Sequence, residues 1–318
     1  MEGEEASLED LPTEQSVVTV EQPEVINPDP EKPALRDQVP MKPPPYENAG
    51  KIPAPGPDAG DEISTFEKAK IIVAMEGQAF DQELDNLHDL SNDIRWGVET
   101  VKYGPLLETL VCHTIGVGGK LPANQNGRDQ KAASILGHAV QNNPSALKEV
   151  GESWKLVVYP SCAAKEGNGD LVSALRSRLG REKNPAALKA KVTAISNLLR
   201  EPYIREQFLS KGGMKLLLAI FLKNGPEWDG VKRKVADLAM DNFLDENMGA
   251  QLGIWPRTPV GEKKICETKG SMLGDGCWEH HVETFAKENK GQKWAKEFVS
   301  ALKEQRPKAS DSVEHGEL

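Results

Sequence analysis

From Ile63 onward, apolar residues recur at steps of three and four. Phe66, Ala69, Ile72, Val73, Phe80, Leu84, Leu87 and Ile94 keep that spacing, the mark of helices that bury one face. The pattern continues through Trp96–Thr114, where Pro105 is placed to open a helix because its missing N–H would have no partner there anyway. In DQKAASILGHAVQNNP, Ala132, Ile135, Leu136, Ala139 and Val140 form one stripe. Asn142-Asn143-Pro144 stops it, since the residue before proline avoids helical backbone. NPAALKAKVTAISNLLREP repeats the design: Asn184 caps, Pro185 opens the first turn, Leu188, Val192, Ile195 and Leu199 make the stripe, and Glu201-Pro202 ends it. Trp278–Ala286 and Trp294–Leu302 read as the last helices. Strand patterns are nearly absent, and the one candidate, Leu156–Tyr159, becomes helical once the repeat is recognised.

ASILGHAVQ (133–141) aligns with VTAISNLLR (192–200), and ESWKLVVY (152–159) with GGMKLLLA (212–219). A third copy starts near VKRKVADLAMDNFL (231–244). The spacings of 59 and about 43 residues bracket the roughly 40–47 of armadillo and HEAT repeats. The polar insert SCAAKEGNGD (161–170) accounts for the longer one. Units of this kind bury their apolar faces only by stacking. The expected fold is therefore all-α, an armadillo/HEAT-like solenoid over residues 63–303, followed by a flexible tail at 304–318.

Residues 1–62 belong to another class. Twelve of the 22 prolines lie in the first 60 positions, and residues 1–40 carry eleven acidic against two basic side chains. Such a segment buries too little apolar surface to offset its ordering entropy, so a disordered tail is expected. Within it, Pro43-Pro44-Pro45-Tyr46 fits a WW-domain ligand or a stiff linker, the linker being the simpler reading. Residues 1–40 alone thus account for nine of the ten net negative charges, which leaves a near-neutral body. That charge distribution excludes a nucleic-acid binder, which needs a basic face. No run approaches the roughly 18 apolar residues of a membrane span, and no N-glycosylation acceptor occurs. The four cysteines suit either disulfides or buried thiols.

Three clusters invite an enzymatic reading, and none carries one. Cys277-Trp278-Glu279-His280-His281, with Cys266 eleven residues earlier, fits no common zinc spacing. A buried helix start is the plainer reading, and a Cys266–Cys277 disulfide the better rival in an oxidising compartment. Cys112 and His113 are neighbours on a helix and face apart, so they make no nucleophile–base pair. Gly116-Val117-Gly118-Gly119-Lys120 lacks the spacing and preceding strand of a phosphate loop and reads as a turn. No catalytic group, metal or cofactor is expected.

The blocks AASILGHAVQNNPSALKEV, KVTAISNLLREPYIREQFLSKGGMKLLL and DGCWEHHVETF, with the opening FDQELDNLHDLSNDIRWGVE, resemble the armadillo-like core of the BiP-associated protein (SIL/BAP) family over about 64–303. The phrase REPYIREQFLSKGGMKLLL is closest to its luminal branch. The resemblance implies a nucleotide exchange factor that grips the ATPase domain of a BiP-class heat-shock-seventy chaperone in the endoplasmic reticulum lumen, supporting translocation and folding there. It also implies a monomer with no membrane insertion. The third helix of each unit, placed at Trp154–Tyr159 and Met214–Leu222, would line the concave face. That face would offer Asn142, Asn143, Lys155, Tyr159, Arg205, Lys211 and Lys215 to the chaperone. His315-Gly316-Glu317-Leu318 resembles a retrieval signal with Gly in place of Asp. The opening MEGEEASLED is not a secretory signal, so a luminal reading leaves the true N-terminus open. The rivals are a cytosolic exchange factor of the same mechanism and a passive armadillo scaffold for extended peptides. Against the scaffold, Trp154 aligns with Met214, so no side-chain ladder is expected.

Overall fold

The computed structural model describes residues 60–162 and 169–307, and every regular element among them is helical. Residues 1–59 of the expected disordered tail and the His315–Leu318 signal lie outside the described residues, as does most of the 161–170 insert; residues 60–62, assigned to that tail, instead open the first helix. The chain begins with α1 (Gly60–Met75), α2 (Phe80–Leu90), α3 (Ile94–Lys102) and α4 (Gly104–Thr114). Then come α5 (Arg128–Val140), α6 (Pro144–Glu152), α7 (Trp154–Val158) and α8 (Leu171–Leu179). After these run α9 (Pro185–Leu198), α10 (Pro202–Ser210), α11 (Gly213–Phe221) and α12 (Asp229–Ala239). A π-helical turn at Met240–Leu244 extends α12, and α13 (Lys263–Cys266), α14 (Trp278–Glu288) and α15 (Lys293–Gln305) complete the fold.

One local signature sets three of the starts: a side-chain oxygen that caps the helix, followed at once by proline. Asn143 accepts from Ala146 N at 3.2 Å, Asn184 from Ala186 N at 3.0 Å and Glu201 from Ile204 N at 2.7 Å. In each case the cap satisfies an N–H that the helix itself leaves orphaned, while proline brings none. Asn143-Pro144 and Glu201-Pro202 therefore end one helix and begin the next in the same step.

The apolar stripes pack in chain order. α5 lies against α4 and α9, α9 against α12, and α12 against α15, which pairs with α14. The aligned segments 133–141, 192–200 and 231–244 are thus successive members of one row. Side chains tie the row together at matching positions. Asn197 donates to the carbonyl of Gly137 at 3.0 Å, and Asn242 to that of Ser196 at 3.3 Å. Each asparagine reaches the residue that precedes the row position before it, His138 in α5 and Asn197 in α9. These bonds join helix to helix, and differ from the groove ladder for extended peptides that was looked for at Trp154 and Met214.

The helices expected to line the concave face lie beside this row. α7 has only five residues and packs with α4, α6, α8 and α10, while α11 packs with α8, α10 and α12. They flank the row rather than form it. The longer first interval holds α8 in addition to the insert. Two disulfides complete the frame: Cys266–Cys277, the rival reading at that site, and Cys112–Cys162, which no sequence signal singled out.

At the α3–α5 crossing, Gly97 permits a close approach: a Cβ there would lie 2.6 Å from the Ala139 carbonyl oxygen. Asn143 fastens the same junction, donating to the carbonyls of Ile94 at 2.8 Å and Ala139 at 3.0 Å. Its side chain is buried, so truncation leaves these groups without partners. Asn143→Ala is expected to lower the unfolding free energy by about 2 kcal/mol, read from urea titration. A loss below about 0.5 kcal/mol would mean that water replaces the carboxamide.

Candidate functional site

The surface formed by α7, α10 and the start of α11 gathers aromatic rings and cations from segments nearly fifty residues apart. Trp154 packs on Tyr203 with ring centroids 4.4 Å apart and meets Tyr159 edge-on at 6.1 Å. The Tyr159 hydroxyl donates to Gln207 Oε1 at 3.1 Å. Lys211 Nζ sits 5.5 Å from the Tyr159 ring, and Lys155 Nζ 5.8 Å from the Trp154 ring. Tyr159 and Tyr203 are each 42% exposed. Rings held by their neighbours and open on one side are the composition from which protein-binding hot spots are built.

This patch opens into a cleft of about 800 Å³ between α10–α11 and the segment 251–278. Ile254, Trp255, Leu273 and Trp278 supply its apolar lining, and Arg205 and Lys215 its cationic wall. Arg205 is only 7% exposed, and its hydrogen-bond partner is the neutral Gln251, at 2.9 Å. Burial lowers the pKa of the guanidinium below its usual value, against the opposing pull of Glu201. Two atoms of lining residues are buried without a partner, the donor Trp255 Nε1 and the acceptor Asp275 Oδ1.

Arg306 ties together two residues of the cleft lining, Thr258 and Asp275. It forms a bidentate pair with Glu279, at 2.6 and 3.0 Å, and donates to the carbonyls of Thr258 at 2.7 Å and Asp275 at 2.5 Å. A buried fork of this kind holds two segments in fixed register.

Of the residues named from the sequence, Lys155, Tyr159 and Lys211 come together on the patch. Lys215 stands at the cleft four residues beyond Lys211 and is exposed. Arg205 lines the cleft as a buried cation rather than a surface one. Asn142 is exposed, in left-handed backbone with φ of +52°. Asn143 is corrected: at 3% exposure, with its carboxamide engaged by Ile94 and Ala139, it is a structural pin and not a contact residue. Trp154 and Tyr203, the centre of the patch, were missed. Trp154 was legible only as a repeat position, and nothing local announces that it meets Tyr203.

The clusters that invited chemistry have structural roles. Cys266 and Cys277 are joined, and His281 bonds the Met272 carbonyl at 2.9 Å. Cys112 is also bridged, while His113 Nε2 lies 2.6 Å from Glu76 Oε1. The Gly116–Lys120 turn does cradle an anion, and the anion is the protein's own. The backbone N–H groups of Gly119, Lys120 and Leu121 all donate to the Glu76 carboxylate. Glu76 itself adopts left-handed backbone at φ +49°.

No family model, curated protein or solved structure matches the chain.

Burial raises the pKa of Glu76, but the His113 bond, the backbone N–H groups and the His113 charge together bring it below the ordinary value. A depressed carboxylate pKa stabilises the fold above the unfolded value, and that contribution is lost as pH falls through the folded pKa. Glu76→Gln should therefore be least stable relative to the parent near neutrality. The gap should narrow as pH drops below the usual glutamate range of about 4.3, followed by urea midpoints across a pH series. A gap that widens on acidification would refute this account.

Proposed function

We propose that this chain is an armadillo-like nucleotide exchange factor, a non-catalytic co-chaperone of a BiP-class heat-shock-seventy chaperone in the endoplasmic reticulum lumen. The observation that carries the reading is the convergence of Lys155, Tyr159 and Lys211 with Trp154 and Tyr203 on one exposed surface. Residues named for chaperone contact thus meet as a hot-spot patch, continuous with Lys215 at the cleft. The row α5–α9–α12, with asparagine repeating one bond between its members, supports the armadillo architecture. Two disulfides fit an oxidising compartment and weigh against the cytosolic relative. The passive peptide scaffold is also disfavoured: Asn242 is buried with its amide directed into α9 and its own helix, so that position has little to offer a peptide.

The factor works by population shift. It binds the chaperone's ATPase domain more tightly when the nucleotide cleft is open, so ADP leaves faster. Linkage requires that ATP in turn weaken the factor's grip. Charge on the patch steers the encounter, and the aromatic rings supply the desolvated contact. The factor acts as a monomer and needs no cofactor, nucleic acid or membrane insertion.

Single-turnover release of a labelled ADP from the luminal chaperone under excess ATP tests the activity. Acceleration by this chain, and a weaker effect on the cytosolic chaperone, is the expected result. No acceleration with either would end the proposal. On the surface itself, Lys155→Glu combined with Lys215→Glu should weaken chaperone binding by at least about tenfold with unchanged circular dichroism. Unchanged affinity would move the interface elsewhere.

A further inference from the structure

The α10–α11 cleft holds chemistry that no contact within the described residues completes. Arg205 is nine-tenths buried, yet its hydrogen-bond partner is a neutral amide. A buried guanidinium is costly unless an anion shares the site. Trp255 Nε1 is a buried donor without a partner, which costs free energy until a ligand supplies an acceptor. Asp275 is held on its Oδ2 side by Arg306, the Arg257 and Thr258 N–H groups and the Thr258 hydroxyl, and only its Oδ1 is open to a ligand N–H. A peptide supplies both with its carbonyls and N–H groups, and an acidic one adds the carboxylate that Arg205 lacks. The lining offers apolar contact through Ile254, Leu273 and Trp278, and the volume of about 800 Å³ is in the range of ligand sites. Arg257 adds a third cation to the lining, and Glu201, Glu206 and Asp275 supply three carboxylates, so the positive charge is local to Arg205 and Lys215 rather than a broad field.

Where the chain runs next selects the occupant. Arg306 is pinned to Thr258 and Asp275, both of which line the cleft. The residues that follow Pro307 read KASDSVEHGEL, with three acidic side chains, one lysine, and Val313 and Leu318 as apolar groups. Eleven residues reach up to about 36 Å when extended, and they start beside two residues of the cleft lining. Tethering supplies an effective concentration of roughly 1 mM, so an intrinsic Kd of about 100 μM already gives about nine-tenths occupancy.

We propose that this cleft is an acidic-peptide site and that its occupant is the chain's own segment 308–318, held by Arg205 and Lys215. Lys215 serves both this contact and the chaperone surface, but the tail test is run without chaperone, so its failure leaves the exchange-factor reading standing. It places the retrieval-like residues His315-Gly316-Glu317-Leu318 within reach of the cleft wall.

The test uses the full chain with Val313→Cys labelled by bimane, a dye quenched at short range by tryptophan, under non-reducing conditions that keep both disulfides. Emission should be about threefold lower in the parent background than with Arg205→Gln or Lys215→Glu, and should rise with salt as the ion pair is screened. Lys215 is exposed, so its variant keeps the test valid if Arg205→Gln fails to fold. Equal emission in the parent and Lys215→Glu backgrounds overturns the proposal. A second arm adds a free fluorescein-labelled peptide of residues 308–318. Weak or absent binding to the full chain, with clear binding once residues after Pro307 are removed, supports occupancy by the tail. Equal binding to both forms overturns it and leaves an acidic segment of a partner as the ligand.

Discussion

A carboxamide that reaches across to a neighbouring helix is the constraint on which this fold turns. Short helices are marginal alone and owe their stability to a buried face. Apolar packing holds α5, α9 and α12 together but leaves their relative slide loosely specified. Asn197 and Asn242 remove that freedom, because each must meet one particular carbonyl. Asn143 does the same for α3 against α5, where Gly97 lets the backbones close. The desolvated amides contribute register as much as stability.

The candidate site depends on that register. α7 is one turn and a half of helix, too short to hold its own orientation. It is fixed by α4, α6, α8 and α10. The Cys112–Cys162 bridge fastens the chain just beyond it to α4. Trp154 can therefore present a ring to Tyr203 from a stable platform. On the far side of the cleft the backbone is mostly irregular, and there the Cys266–Cys277 bridge and the Arg306 fork supply rigidity that regular structure does not. The same surface joins a firm helical wall to a wall made of loops and cross-links.

Much of the fold could be read from the sequence because its cause is local. The stripes Ala132–Val140 and Leu188–Leu199 have helical period, and Asn184-Pro185 carries its own start signal. Lys155 and Lys215 were named because the repeat placed them at matching positions, and Tyr159 and Lys211 because they lie nearby. What stayed hidden is non-local. Nothing near Asn197 says that its amide meets Gly137, and nothing near Cys112 says that its partner is Cys162. The packing of α5 on α9 and of α9 on α12 also stayed hidden, because the match between α7 and α11 in sequence says nothing of which helices meet. Arg205 looked like any surface cation, and only three-dimensional packing reveals it as a buried charge beside a cleft.

The turn at Gly116–Lys120 has a consequence of another kind. Its N–H groups form a receptor for an oxyanion, and Glu76 fills it from within. The molecule behaves there like a lock stored with its own key. Shortening that one side chain would leave an empty cradle lined by backbone donors and His113, able to draw a phosphate or sulfate from solvent. The difference between an internal fastening and an ion-binding pocket is then a single residue, with the scaffold around it already in place.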